Sequence, residues 1–363
     1  MLSAGARQET APHRNRPMAR AKVFCSALLE DEFVDRIAAN AQRVICIDLG
    51  GTNFKAGVVS ESGCILHRIQ EPTPAQKRPE TVLAVIGKMI EELENVSNPC
   101  GREQKQGVSI GVPGIVDRST GEVTNCFNVF GHNNQRVSLK RDLESLTGRT
   151  IRIDKDLNLA ALGEHWMGAG KGYCDILCTF VGTGIGSGLI LDNQIYRGAL
   201  GAAGEIGHLT MQNDGPKCGC GNTGCLEQFA SGPAILRCML EEMSKRAHST
   251  LAQAGSAVSN RELTTKGVFD LARQGDESAV KVIDKACSHL GIGLANVLTL
   301  LNPALVIIGG GVGRQFDIII GRIWTEIRRR CRPSMAAAVK IVPSVLWDDA
   351  ALLGGARYYF QEA

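Results

Sequence analysis

The sequence predicts an α/β protein of two lobes with mixed sheets, on three observations. Short apolar runs alternate with segments of helical period from Arg43 onward, the pattern of strands interleaved with helices. A strand–glycine turn–strand unit recurs about 130 residues after its first appearance, which points to internal duplication. The length, 363 residues, exceeds one average domain and falls short of three.

The first unit runs Val44-Ile45-Cys46-Ile47, then Asp48-Leu49-Gly50-Gly51-Thr52, then Lys55-Ala56-Gly57-Val58-Val59. Two apolar runs around a glycine turn read as a β-hairpin. Across Glu80–Asn95, Val82, Val85, Ile86, Met89, Ile90 and Leu93 fall on one helical face. Gly107–Val112 and Ile151–Ile153 read as further short strands, the latter ending in Asp154-Lys155-Asp156. The second unit is the strand Ile176–Val181, the turn Gly182–Gly186 and a returning strand Gly188–Leu191. Helices are expected at Pro233–Ala247, Thr264–Gln274 and Glu277–Leu301, and a strand at Val306–Gly311 that ends in three glycines.

Composition narrows the class. Forty Lys and Arg against 37 Asp and Glu leave a net charge of +3, which gives no electrostatic case for nucleic acid. Apolar residues at 44% and charged ones at 21% suit a chain with a real core, not a disordered one. The 42 glycines exceed ordinary usage and imply many tight turns or close backbone approaches to a ligand. Thirteen cysteines, an odd number scattered along a long chain, do not form a secreted disulfide framework, so a reducing cytoplasm is expected. Met1–Lys22 lacks the apolar core of a secretion signal. Ala286–Gly313 has no Asp, Glu, Lys or Arg, but Asn296, Asn302 and Pro303 interrupt it. A buried helix, a turn and a buried strand explain it, and no membrane span is expected.

Asp48-x-Gly-Gly-Thr52 at a hairpin exposes backbone N–H groups with no Cβ in the way, the surroundings a phosphate needs, and Asp48 is suited to a hydrated Mg²⁺. An ordinary glycine hairpin is the plain alternative. Gly182-Thr183-Gly184-Ile185-Gly186-Ser187-Gly188 has the look of a dinucleotide fingerprint, but a strand and not a helix should follow it. It also lacks the Gly-Lys-Ser/Thr ending of a Walker A loop. Two Thr-and-Gly turns in one chain are the layout of a phosphotransferase that closes on a triphosphate from two sides. His208, Cys218, Cys220 and Cys225 form a Cys₃His set, closed and structural if tetrahedral Zn²⁺ fills it. Glu205 lies just before His208 and Glu227 just after Cys225. A pinned loop that presents two carboxylates suits a polyhydroxyl ligand, whose hydroxyls donate to them. Asp156, beside Asn158 and just past a strand, falls where a cleft between lobes should open.

Together Asp48–Thr52, Val112-Pro113-Gly114, Asp156-Leu157-Asn158, Gly182-Thr183-Gly184 and Gly204-Glu205-Ile206-Gly207-His208 leading through Cys218 to Glu227 resemble the sugar kinases of the ROK (repressor, open reading frame, kinase) family, glucokinase-like members in particular. The resemblance covers nearly everything from Arg43 onward. It implies an actin-like, hexokinase-like fold of duplicated ribonuclease-H-like domains with an inserted zinc loop. The expected division is an extension over residues 1–42, a small lobe over 43–153 plus about 341–363, and a large lobe over 154–340 that carries the zinc loop 208–225. Asp156 matches the general base. Gly114, Asn128, Glu205, His208 and Glu227 match the sugar side, and Lys155 falls in the same set. Asp48, Gly50, Gly51, Thr52, Lys55, Gly182, Thr183 and Gly184 fall on the phosphate side, with Gly309, Gly310 and Gly311 beside the adenosine. The implied reaction is ATP- and Mg²⁺-dependent phosphorylation of a hexose at its 6-hydroxyl, glucose by default, by a homodimer.

Two positions depart from the family pattern. Lys155 stands where an Asn usually precedes the base, and His132 where a Trp is common. A cation at 155 is expected to lower the pKa of Asp156 and weaken it as a base. Both departures fall on the sugar side, which keeps mannose, N-acetylmannosamine, N-acetylglucosamine, an amino sugar or a C7-cyclitol open as substrates, with polyphosphate as an alternative donor. A catalytically weak sugar sensor is a second class. A repressor is a third, disfavoured because 42 residues precede Arg43 whereas a helix-turn-helix reader and its linker need roughly 60 or more.

Overall fold

The computed structural model describes residues 42–97, 106–132, 136–248 and 263–361. The expected extension before Gln42 lies outside the described residues. Two five-stranded sheets organise the rest. The first contains β1 (Arg43–Leu49), β2 (Asn53–Ser60), β3 (Ile65–Pro72), β4 (Gly107–Val112) and β8 (Ile151–Lys155), in the order β3-β2-β1-β4-β8. The second contains β9 (Ile176–Val181), β10 (Ile185–Leu191), β11 (Gln194–Tyr196), β12 (Leu305–Gly309) and β13 (Lys340–Pro343), in the order β11-β10-β9-β12-β13. A small antiparallel sheet of β5 (Ile115–Val116), β6 (Val123–Thr124) and β7 (Arg136–Val137) sits between β4 and β8 in the chain.

The two large sheets repeat one plan. Each opens on an antiparallel meander of three strands; its first strand then pairs in parallel with a fourth, and the fourth in parallel with a fifth, each reached by a helical crossover. The expected duplication is therefore visible as topology. Its seed is the hairpin: Leu49 pairs with Phe54 across the first glycine turn, and Val181 pairs with Ile185 across the second. β12 is buried along its whole length, which suits a parallel strand covered on both faces.

Helices cover the sheets where periodicity requires. Pro79–Ser97 turns Val82, Ile86, Met89, Ile90 and Leu93 into the core of the first sheet. Glu277–Leu301 does the same for the second with Val282, Ile283, Leu290 and Leu294, capped at its start by the Asp276 carboxylate on the Ala279 N–H. Asp156–Met167 packs along the C-terminal helix Ala350–Gln361, and Gly163 and Gly354 meet at the crossing where the backbones touch. That last helix also lies on β1 and β4, whereas β13, just before it, belongs to the second sheet. The chain thus passes from one sheet to the other between Pro343 and Ala350. Glu164, fully buried, fastens this passage by accepting from Ser344 Oγ and from the Leu346 N–H at 3.0 Å, and it also accepts from the Ala169 N–H at 2.8 Å.

Three local expectations are corrected. The strand near 306 ends at Gly309, and Gly310 and Gly311 open a short helix, Gly310–Gly313. Gly310 has φ +79°, and a Cβ there would stand 2.5 Å from the Val181 carbonyl oxygen, so the chain can turn under β9 only without a side chain. Asp154 and Lys155 lie inside β8 and Asp156 is the first helical residue, with no loop between. β10 begins at Ile185, three residues earlier than expected, because Gly186 pairs with Phe180 in the ladder. Among the described residues no helix is long and apolar enough to cross a membrane.

Candidate active site

Strand ends and helix starts converge on one cavity of about 290 Å³. Asp48, near the end of β1, and Lys55 on β2 reach it from the first sheet. Asp156 reaches it from the start of its helix, Phe180 from β9 of the second sheet, and Gly310 and Gly311 from the short helix that follows β12. The two glycine turns each follow a strand that supplies a lining residue. This is the crevice at the carboxyl ends of strands where α/β folds bind ligands.

Asp156 accepts from its own helix at the Leu157 N–H, 2.7 Å away. Its pKa is raised to about 7, first by burial and then by the Asp48 carboxylate, with Glu205 adding to the rise. Lys155 and the Leu157 N–H pull the other way. The expectation that Lys155 would lower this pKa is thus overturned in its net sign. The cation acts in the expected direction but is outweighed by desolvation and a second carboxylate. Asp48 is raised to about 6, chiefly by burial, with Lys55 opposing.

Lys155 is 5% exposed, and its Nζ is ion-paired with Glu205 Oε1. Asp154 next to it takes Arg197 Nε at 2.7 Å and the Asn158 amide at 2.8 Å. The two residues before Asp156 therefore hold both ends of the loop 197–205, with opposite polarity at each end. The other oxygen of Glu205 lies 3.8 Å from His208 Nε2. His208 Nδ1 faces the other way, 3.6 Å from Cys218 Sγ, while Cys220 and Cys225 Sγ are 3.7 Å apart. All four donor atoms lie within 4.8 Å of one another. Zn–S bonds of about 2.3 Å at tetrahedral angles place sulfurs about 3.8 Å apart, so the donor set fits zinc. Glu227, opening the helix Glu227–Ala230, accepts from the Ile185 N–H at 2.9 Å. A Cβ on Gly184 would stand 2.5 Å from its carboxylate, so the glycine lets Glu227 lie over the second turn.

The remaining sequence-selected residues surround this centre. Gly51 and Thr52 are exposed at the tip of the first turn, and Asn128 packs against Gly51. Gly50 closes that turn by donating to Asn53 O at 3.1 Å, and Gly114 turns the chain after β4 by donating to Val112 O at 3.0 Å. Gly182 closes the second turn on Gly184 O at 2.9 Å and lies beside the Gly311 N–H, while Thr183 is exposed and Gly309 packs against the Phe180 ring. Apart from Asp48, Lys55, Asp156, Gly310 and Gly311, the selected residues do not line the cavity itself. His132 is exposed and stacks on Phe127, ring centroids 4.9 Å apart. Sequence reasoning missed Arg314, Trp347 and Asp348, which do line it. The run Trp347-Asp348-Asp349 was the available signal, but it belongs to no glycine turn or ligand spacing.

Two sheets of one plan, joined through the helix Asp156–Met167 and again through the passage 344–349, with a raised-pKa acid on the wall between them, define the two-lobe hexokinase-like class. The chain belongs to the ROK family, whose model matches residues 44–362. It is 36% identical over 314 residues to a glucokinase of Thermotoga maritima, covering 86% of this chain and 96% of that protein. The crystal structure of a ROK glucokinase from Streptomyces griseus, in complex with glucose and AMPPNP, superposes with a TM-score of 0.73 at 32% identity, covering 88% of this chain and 99% of that one. A xylose repressor of Caldicellulosiruptor bescii is 33% identical over 248 residues, 68% of this chain and 61% of the repressor.

Proposed function

We propose that this protein is an ATP-dependent hexose kinase that phosphorylates the 6-hydroxyl of glucose or a close relative. The observation that carries the reading is Asp156: an acid with a pKa near 7 on a cleft wall, between a Gly-Gly-Thr turn and a carboxylate-bearing, metal-suited loop. The relatives' names and the bound AMPPNP and glucose of the neighbouring structure support both substrates.

Asp156 accepts the hydroxyl proton as the sugar oxygen forms its bond to the terminal phosphorus. The bond from that phosphorus to the bridging oxygen breaks, and ADP leaves. Such a transfer depends on alignment and charge neutralisation more than on covalent help. Glu205, His208, Glu227, Asn128 and Gly114 would hold the sugar, with Lys155 setting the position of Glu205. Gly51, Thr52, Gly182, Thr183 and Gly184 would offer donors to phosphates, with Gly50 shaping the first turn, and Gly309 to Gly311 would flank the adenosine. His208, Cys218, Cys220 and Cys225 would hold Zn²⁺, and Asp48 suits Mg²⁺, which prefers carboxylate, phosphate and water oxygens. Zinc would fix the loop, and magnesium would neutralise charge on the triphosphate.

The same reading places the protein in the cytoplasm, where four-ligand zinc sites keep their thiolates, and makes it a homodimer, as the family resemblance implies. The lobe division, with residues 1–42 apart, a small lobe over 43–153 plus about 341–363 and a large lobe over 154–340, belongs to this reading as well. The deciding experiment measures ADP release with ATP across glucose, mannose, N-acetylmannosamine, N-acetylglucosamine, glucosamine and a C7-cyclitol. Turnover with at least one of them is expected. None, with sugar binding intact, would reject the kinase in favour of a sensor.

A further inference from the structure

Asp348 joins two cations, one on β2 and one just past the short helix that follows β12. Its Oδ1 accepts from Lys55 Nζ of β2 at 2.9 Å, and its Oδ2 from Arg314 Nη2 at 2.9 Å. Arg314 follows the turn Gly310–Gly313, and all three side chains line the cavity beside Asp48, Gly310 and Gly311. The Asp348 side chain is 68% exposed, and ion pairs this open are weakly held. A chain of phosphates carries more charge than one carboxylate and binds guanidinium in the same forked geometry. Trp347 adds a second, independent mark. Its φ is +48°, a backbone conformation that a bulky side chain rarely adopts. The strain places its ring under Arg314, guanidinium to ring centroid 4.6 Å. The conformation is held from both sides, by the Trp347 N–H on Ser344 Oγ at 2.9 Å and by Asp349 on Arg68 at 2.9 Å.

We propose that Lys55 and Arg314 bind the phosphate chain of the donor, that Asp348 occupies them until that chain displaces it, and that Trp347 is a positioning residue that holds Arg314 over the cavity. The proposal rests on the phosphotransferase reading above and adds its donor-side contacts. The ligand chemistry is a linear chain of three or more phosphates, whether carried by ATP or by inorganic polyphosphate.

The test is calorimetric titration of the whole protein with a non-hydrolysable ATP analogue and, separately, with inorganic tripolyphosphate, alongside steady-state KM for ATP and sugar. Arg314→Gln is expected to weaken both probes about tenfold, the loss of one charge-assisted hydrogen bond, and to leave the sugar KM within about twofold. Asp348→Asn, a surface change that threatens no fold, is expected to tighten both probes severalfold, an effect that shrinks as salt rises. Trp347→Gly should raise the ATP KM with no loss in melting temperature, a split that a merely structural residue would not show. Arg314→Gln binding both probes as tightly as the native protein, or Asp348→Asn binding them more weakly, would overturn the proposal. So would native protein that binds the ATP analogue but not tripolyphosphate. Native protein that binds both probes yet phosphorylates no sugar would sink the kinase reading and leave this clamp standing.

Discussion

Lys155 pairs its Nζ with Glu205 Oε1, while Asp156, one residue along, is raised to about 7 by burial and Asp48 although the same cation lowers it. The pair separates two jobs that the sequence alone appears to merge. A lysine beside a general base should weaken it, yet here burial and Asp48 set the base and Lys155 sets the sugar-side carboxylate. Replacing Lys155 with Asn should therefore have two readable effects. The acid limb of kcat/KM should move to higher pH, because Asp156 loses a cation that lowers its pKa. The order of sugars by kcat/KM should also change, since Glu205 gains an oxygen free to accept a hydroxyl. An unchanged profile and an unchanged order in the same assays would show that the pair is inert.

Asp156→Asn keeps the shape of the side chain and removes the base. We expect kcat to fall about a thousandfold, within the range a positioned base supplies, with sugar binding retained by calorimetry. In the native protein, kcat/KM should rise through pH 6–8 as the carboxyl ionises.

Stability of the same variant checks the pKa without any substrate. The folded pKa lies above the usual value of 3.8, so folding favours the protonated form and the native protein loses stability as pH rises from about 4 to 7. The melting temperature of Asp156→Asn relative to native should climb over that window and level off above it. A constant difference from pH 4 to 8 would mean that the carboxyl is not desolvated in the fold.

The zinc loop should couple metal to sugar and spare the donor. His208 presents Nδ1 to the cysteines and Nε2 to Glu205, so a metal held there would fix the ring that faces Glu205. Cys220→Ser is expected to lower bound zinc by elemental analysis, to lower the melting temperature, and to raise the sugar KM about tenfold, the scale of outer-shell effects at metal sites. An equal rise in the ATP KM would indicate general loosening instead.

What could be read from the chain was local. The hairpin glycine turns, the Cys₃His spacing and the position of Asp156 after a strand all lie within short windows. What could not be read was long-range. Lys55 and Asp348 are 293 residues apart in sequence, and no periodicity connects them. Trp347 carries no mark in the sequence, and its left-handed backbone is visible only in the fold. β3 escaped notice because it is an edge strand with a half-polar sequence, Ile65–Pro72, that shows no long apolar run. The raised pKa of Asp156 depends on its burial and then on Asp48, a residue of β1 far away in sequence, which adjacency to Lys155 concealed.

Glu164 is where the two sheets are tied together, and its removal should affect both folding and closure. The carboxylate is fully buried and accepts from Ser344 Oγ, from the Leu346 N–H at 3.0 Å and from the Ala169 N–H at 2.8 Å. Glu164→Ala would leave two backbone N–H groups and the Ser344 O–H without the acceptor they now share, at a cost of about 1–3 kcal/mol for each donor so stranded. Relaxation and water entry would recover part of that, so we expect a loss of about 3 kcal/mol in denaturant unfolding. Glu164→Gln keeps one carbonyl oxygen as acceptor and should cost about half as much. Because the passage 344–349 carries Asp348 and Trp347 to the cavity, the Gln variant should also raise the ATP KM more than the sugar KM. A Gln variant with native melting temperature and native ATP KM would show that this buried acid fastens nothing that the active site depends on.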